Sequence, residues 1–389
     1  MQRTNTHLPF LDHIRCFAIL FVFLFHCLGV SYGYDQLPWN GWVRDWNVPG
    51  SFLALLPTTF GWTGVSIFFV VSGFCIHLSH QRSRQKDWGT FFTRRFFRIY
   101  PPYLVALLIF SFVYPWQTVQ LESPYRVAQF LSHVVLLHNL DSRSFMAINP
   151  SFWSIALEVQ LYALYPILLL MTRKLSWKKT LWILAIVEIA IRTASGIHHT
   201  QHGEYLPRWF ISGPISHWFS WAIGAAAAEA FLKYEALPFQ RVPLWIFPTL
   251  TVGTAFVHPL EPFSFMFAAL ATVSVIAALL KRSDETPTRQ PGMFHRQIAF
   301  LGTISYSIYL LHQPIIMLVP VYLAKLGMHL SPIATVGVCY LMLVPTLALS
   351  VGFYRIIELP SIAAGKWFLQ RCKDLRAKLQ TPPAMAEAD

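Results

Sequence analysis

The sequence predicts an all-α fold, a polytopic membrane helical bundle of about ten transmembrane helices with both termini inside (N-in/C-in). Three observations carry that expectation. Of the 389 residues, 55% are apolar and 12% charged, where soluble domains carry about 25% charged residues. The apolar residues fall in blocks of about 20, long enough to cross a hydrocarbon core of ~30 Å. Basic residues gather in alternate connecting segments, which is the mark of positive-inside topology. A soluble enzyme, a secreted disulfide scaffold, a disordered chain and a coiled coil are all excluded, because a chain this poor in charge has too little polar surface for water.

Candidate spans cover residues 10–32, 60–79, 99–116, 151–171, 180–196, 210–232, 243–257, 263–280, 299–318 and 332–354. With the N-terminus inside, the inner segments hold 23 of the 30 Lys and Arg residues and the outer loops five, while Arg15 and Arg192 lie within spans. The net charge of +12 is therefore topological; the lipid bilayer is the expected partner and nucleic acid is not. Cys16, Cys27, Cys75 and Cys339 lie in spans and Cys372 in the inner tail, a spacing that makes no disulfide framework. The first span carries Arg15 and lacks a small-residue cleavage pattern, so it reads as an uncleaved helix.

Residues 1–365 read as one transmembrane domain and 366–389 as a basic cytoplasmic tail, disordered at its TPPAMAEAD end. The stretch SDETPTRQPG at 283–292 reads as a polar inner loop. Outer segment 33–59 carries Trp39, Trp42 and Trp46, placed either to stack on sugars or to sit in an interfacial belt. In segment 117–150, RVAQFLSHVVLLHNL is about 15 residues long, short for a span, and lies on the membrane surface or re-enters it.

Ionisable side chains inside hydrocarbon cost about 2.5–3.5 kcal/mol at a helix centre on insertion scales, so the spans that accept them mark function. Arg15 and His26 are eleven positions apart, about 20° beyond three full turns and ~16 Å along the axis, so both face one way. Ser154, Glu158 and Tyr162 form a stripe of one per turn. Gly302, Ser305, Tyr309 and His312 line another helical face. His26, Glu158 and His312 fall at similar depths in three helices, which predicts a shared polar chamber. The alternatives are an arginine reaching the headgroups, a structural ion pair at Glu158 and histidines that simply tie helices together. Arg95 and Arg98 stand one turn apart before Pro101 and Pro102, where the helix starts or bends; their planar forks suit phosphate oxygens, and positive-inside topology is the plainer account. Glu188 and Arg192 read as a local i,i+4 pair. His198, His199 and His202 with Glu204 form an outer polar loop without the helical HExxH spacing, so no metal is expected.

Taken together, these residues resemble a known family. LDHIRCFAILFVFLFH, with ten residues between Arg15 and His26, is similar to the signature of the acyltransferase-3 membrane proteins. GVSIFFVVSGFCI, RRFFRIYPPY, FWSIALEVQLYALYP, GTISYSIYLLH and the Glu358–Pro360 pair follow in the family's order. His13 stands where the family often has Gly and Cys75 where it usually has Leu. The resemblance implies a multi-pass O-acyltransferase of the cell inner membrane that moves an acyl group, by default acetyl, from cytoplasmic acyl-CoA to a hydroxyl of a surface or periplasmic glycan or lipid-linked sugar. On it, His26, Glu158 and Arg15 are the expected catalytic residues, and Arg15, Arg95 and Arg98 hold acetyl-CoA. Ser154, Tyr162, Tyr309 and His312 bind the acceptor or the oxyanion. The competing expectation is a proton-coupled transporter or flippase of a small anion or lipid-linked sugar, since intramembrane Arg, His and Glu describe carriers as well.

Overall fold

A computed structural model describes residues 8–34, 55–83, 86–113, 115–120, 122–204, 206–285 and 292–380. Trp39, Trp42 and Trp46, positions 286–291 of the polar loop and the TPPAMAEAD end lie outside the described residues. The helices of ten residues or more are α1 Pro9–Tyr32, α2 Thr63–Arg82, α3 Trp88–Phe112, α4 Pro124–Val134, α5 Phe152–His202, α6 Trp218–Lys233 and α7 Ile246–Ala255. They continue as α8 Glu261–Glu285, α9 Met293–Thr303, α10 Ser305–Lys325, α11 Pro332–Leu341, α12 Leu343–Phe353 and α13 Leu359–Gln380. No strand occurs among the described residues.

Seven helical stretches are long and apolar enough to cross a membrane, against the ten expected. Two features account for the difference. The spans expected at 151–171 and 180–196 are both present, as two helical stretches of α5 that meet at a break at Ser176, where φ is 74° and ψ 159°; they count as one continuous stretch only because no loop separates them. The spans expected at 210–232 and 243–257 correspond to α6 and α7, of 16 and 10 residues, too short for a ~30 Å core at 1.5 Å per residue. The last span changes in length and not in number: it does not stop at 354 but continues through a π turn, Tyr354–Glu358, into α13, so residues 366–380 of the expected tail are helical.

Proline and capping chemistry set the local structure. α3 starts eleven residues before the expected span at 99 because the Asp87 carboxylate accepts from Gly89 N (3.2 Å) and Thr90 N (2.7 Å), satisfying donors that a helix start leaves open. Pro101 and Pro102 lie inside α3, so they neither start nor end it. Having no N–H, Pro101 leaves the Phe97 carbonyl without its helical donor; Ser361 of α13 donates to that oxygen. Pro314 does the same to the Leu310 carbonyl in α10, and Asn149 Nδ2 donates there at 2.9 Å. Each proline thus docks a second element onto its helix.

α1 packs against α2, α9, α10 and α11, and α2 packs most closely on α6. That crossing depends on two glycines. A Cβ at Gly73 would overlap the Trp221 carbonyl oxygen, and one at Gly224 the Val70 carbonyl oxygen, so each helix presses its backbone into the other's small residue. Trp221, Tyr165 and Phe74 fill the core around it, each fully buried. The Glu188–Arg192 pair proves more than local. Arg192 donates to Glu188 Oε1 (2.7 and 3.0 Å) and to the Pro262 carbonyl (2.6 Å), while Ser220 Oγ donates to Glu188 at 2.6 Å. The pair therefore joins α5 to α6 and α8, a buried ion pair whose remaining hydrogen-bonding capacity is used.

Candidate active site

A cavity of about 340 Å³ opens between α1, α2, α3, α5 and α10. Arg15 contributes from α1. Its Nη1 donates to Asp12 Oδ1 at 2.7 Å and its Nη2 lies 3.1 Å from Cys75 Sγ, which holds the guanidinium edge-on against α2. Arg95 and Arg98 contribute from α3. Arg95 donates through Nη2 to Ser79 Oγ at 3.1 Å and packs its guanidinium 5.7 Å from the Phe91 ring centre. Its Nε is buried and finds no partner among the described residues. Three arginines lining one cavity, one of them with donor capacity to spare, make a strongly anion-attracting surface.

The same cavity is lined by Ser154, Glu158 and Tyr162 of α5. Tyr162 donates to Glu158 Oε1 at 2.5 Å, one turn away. Tyr162 and Ser72 hydroxyls lie 3.2 Å apart, and Trp221 Nε1 donates to Ser72 Oγ at 3.4 Å. An indole N–H only donates, so the protons run one way, from Trp221 to Ser72 to Tyr162 to the carboxylate. Glu158 is thereby the acceptor end of a chain of donors. Tyr309 of α10 closes the cavity, its hydroxyl 2.6 Å from Ser154 Oγ.

Next to Tyr309 lies a second group. The rings of His26 and His312 are 5.1 Å apart between centres, and the Tyr309 ring is 5.4 Å from His312. His26 Nδ1 shares a 2.8 Å hydrogen bond with the Tyr34 hydroxyl. Gln313 Nε2 donates to that hydroxyl at 3.2 Å, and Ser151 Oγ donates to Gln313 Oε1. Ser154 Oγ reaches the Ser151 carbonyl at 3.2 Å, so one polar network runs from the cavity wall to His26.

The structure divides the expected residues accordingly. Arg15, Arg95, Arg98, Ser154, Glu158, Tyr162 and Tyr309 line the cavity; His26 and His312 face each other next to it and are not among its lining residues. The single chamber expected for His26, Glu158 and His312 is thus not formed: Glu158 and Tyr309 line the cavity, and the histidine pair sits beside it, with His312 against the Tyr309 ring. Tyr34, Gln313, Ser151, Asn149, Ser72 and Cys75 escaped the sequence reading as site residues. Only Asn149 had a signal, the proline at 314 that strips the Leu310 carbonyl; the others depend on contacts between distant elements. His198, His199 and His202 lie on the last turns of α5 and not in a loop, with the His198 and His202 rings 4.6 Å apart. Among the described residues, no group of three or more His, Cys, Asp or Glu side chains is placed to hold a metal ion.

A family model described as an acyltransferase domain (acyltransferase-3) matches residues 8–355. The chain is similar to a peptidoglycan O-acetyltransferase of Listeria monocytogenes, 26% identical over 352 residues that make up 82% of this chain and 51% of that protein. It is similar to a putative peptidoglycan O-acetyltransferase of Bacillus subtilis, 25% identical across 81% of this chain and 49% of the relative. It is also similar to an acyltransferase of Streptomyces mycarofaciens, 26% identical across 78% of each. The chain spans about half the length of the first two. No solved structure matches it. With seven apolar helices of spanning length and a family match from residue 8 to residue 355, the chain is a multi-pass membrane protein and belongs to the acyltransferase-3 family.

Proposed function

We propose that this protein is an O-acyltransferase of the cell inner membrane that takes an acyl group, acetyl by default, from cytoplasmic acyl-CoA and places it on a hydroxyl of an envelope glycan. The observation that carries this is the joining of Arg15, Arg95 and Arg98 to Glu158 and Tyr309 in one cavity that ends beside a histidine pair. The arginines suit the phosphates of the donor, and the cavity suits its thin thioester-bearing arm. The positive-inside count favours both termini inside, with Arg95 and Arg98 toward the cytoplasm and His26 toward the outer face. The names of the relatives, two of them peptidoglycan O-acetyltransferases, favour a cell-wall polysaccharide as acceptor.

In this reading, neutral His26 accepts the proton of the sugar hydroxyl as its oxygen attacks the thioester carbonyl. Its Nδ1 is held by Tyr34, which orients the ring. Tyr309 and Ser154 supply hydroxyls to the acceptor or to the developing oxyanion. Glu158, fed by Tyr162, balances the arginines. Inside-out vesicles with labelled acetyl-CoA and an acceptor glycan provide the test. Wild type transfers label to the glycan and releases free CoA, whereas His26→Ala folds and transfers none. A folded His26→Ala variant with normal transfer removes His26 as the base, and glycan movement with the thioester left intact replaces the enzyme with a carrier.

A further inference from the structure

His312 is fully buried, and its Nδ1 lies 2.9 Å from the Tyr309 carbonyl oxygen. A carbonyl oxygen only accepts, so the neutral ring carries its proton on Nδ1 and presents a bare lone pair at Nε2. That Nε2 is buried and has no hydrogen-bond partner among the described residues. Orphaned buried acceptors are rare, and each needs an explanation. The proton-exchanging side chain packed against this ring is His26, 5.1 Å away between centres with the planes at 47°.

The two rings are held in the same way. His26 is anchored through Nδ1 to Tyr34, and His312 through Nδ1 to the backbone. Gln313, the next residue after His312, donates to Tyr34 and accepts from Ser151, so one amide fixes the setting of both histidines. His133, in contrast, sets both ring nitrogens against carbonyl oxygens, at 2.7 and 3.0 Å; what distinguishes the free nitrogen of His312 is that a second histidine is packed against its ring.

We propose that His312 Nε2 is the relay that receives the transferred proton from His26. This rests on the reading of His26 as the base. The acceptor O–H bond breaks as its oxygen bonds to the acyl carbon, and His26 takes the proton. His26 passes it to His312 Nε2 as the C–S bond breaks, and the pair returns it to the departing thiolate, giving the ester and a free thiol. His312 acts through His26 and is a positioning residue for the proton, not a group on the reacting atoms.

The test uses the full-length protein in inside-out vesicles with labelled acetyl-CoA. His312→Asn keeps an amide nitrogen to donate to the Tyr309 carbonyl but has no second basic nitrogen. The expected result is a fall in kcat of about a hundredfold, with KM for acetyl-CoA and for the acceptor unchanged. Free imidazole restores part of kcat to His312→Ala, which a packing role would not allow. Native kcat in His312→Asn, a change confined to KM, or a failure of imidazole to restore His312→Ala overturns the relay. If His26→Ala is inactive while His312→Asn is native, only the relay falls; if His26→Ala is itself active, the underlying reading falls.

Discussion

Glu158 accepts a 2.5 Å hydrogen bond from Tyr162, its neighbour one turn along α5, and that bond is the last in a one-way series beginning at Trp221. A half-buried carboxylate within a membrane protein needs hydrogen-bond donors or a close cation. Glu158 has both at hand: the Tyr162 hydroxyl as donor and three arginines lining the same cavity.

Tyr162→Phe removes that donor without changing the shape of the wall. Glu158 then loses a charged hydrogen bond worth about 1.5–3 kcal/mol. Transfer should fall by roughly tenfold or more, measured as kcat/KM with labelled acetyl-CoA, while the purified protein keeps its helical circular dichroism.

Arg95→Lys keeps the charge and loses the planar fork that reaches Ser79 and leaves Nε free. A point charge does not replace bidentate contact with phosphate. KM for acetyl-CoA should rise by about tenfold with little change in kcat, read from initial rates across donor concentrations.

Gly224→Ala forces a methyl into the Val70 carbonyl across the α2–α6 crossing. Overpacking of this kind costs about 1–3 kcal/mol, so the thermal midpoint in detergent should drop by several degrees. Gly253→Ala in α7 meets nothing within 4 Å and should leave the midpoint unchanged or raise it slightly.

The Asp87 cap gives a pH dependence of known sign. The Thr90 backbone N–H, with a smaller contribution from Gly89, holds its carboxyl below the usual carboxylate range. A depressed carboxyl stabilises the fold above its unfolded pKa, near 3.9, and that contribution disappears as pH falls through the lower folded value. At neutral pH Asp87→Ala should therefore cost about 1 kcal/mol, as capping losses do. The gap from wild type in thermal midpoint should narrow below about pH 4.

Legibility followed range. The face shared by Arg15 and His26 and the Ser154–Glu158–Tyr162 stripe were visible because helical periodicity is local, and each lies on one helix here; Gly302 belongs to α9 and Ser305, Tyr309 and His312 to α10, so the expected Gly302-to-His312 face is broken at Ile304. Span boundaries were less visible. The start of α3 rests on the Asp87 side chain, and the ends of α5 and α13 outrun the apolar blocks because a helix continues wherever its backbone donors are met.

The sequence by itself determined that this chain is a helical membrane protein, because hydrocarbon tolerates few charges and forces backbone groups to pair within helices. It also determined the order of motifs that marks the family. Tertiary structure alone decided that α3 and α5 line one cavity, that the histidine pair sits beside it with His312 against the Tyr309 ring, and that His26 meets His312 across 286 positions of chain. Those outcomes depend on which helix faces pack together. Packing is chosen by small residues such as Gly73 and Gly224 and by carbonyls that proline leaves open, whose partners lie far away in sequence.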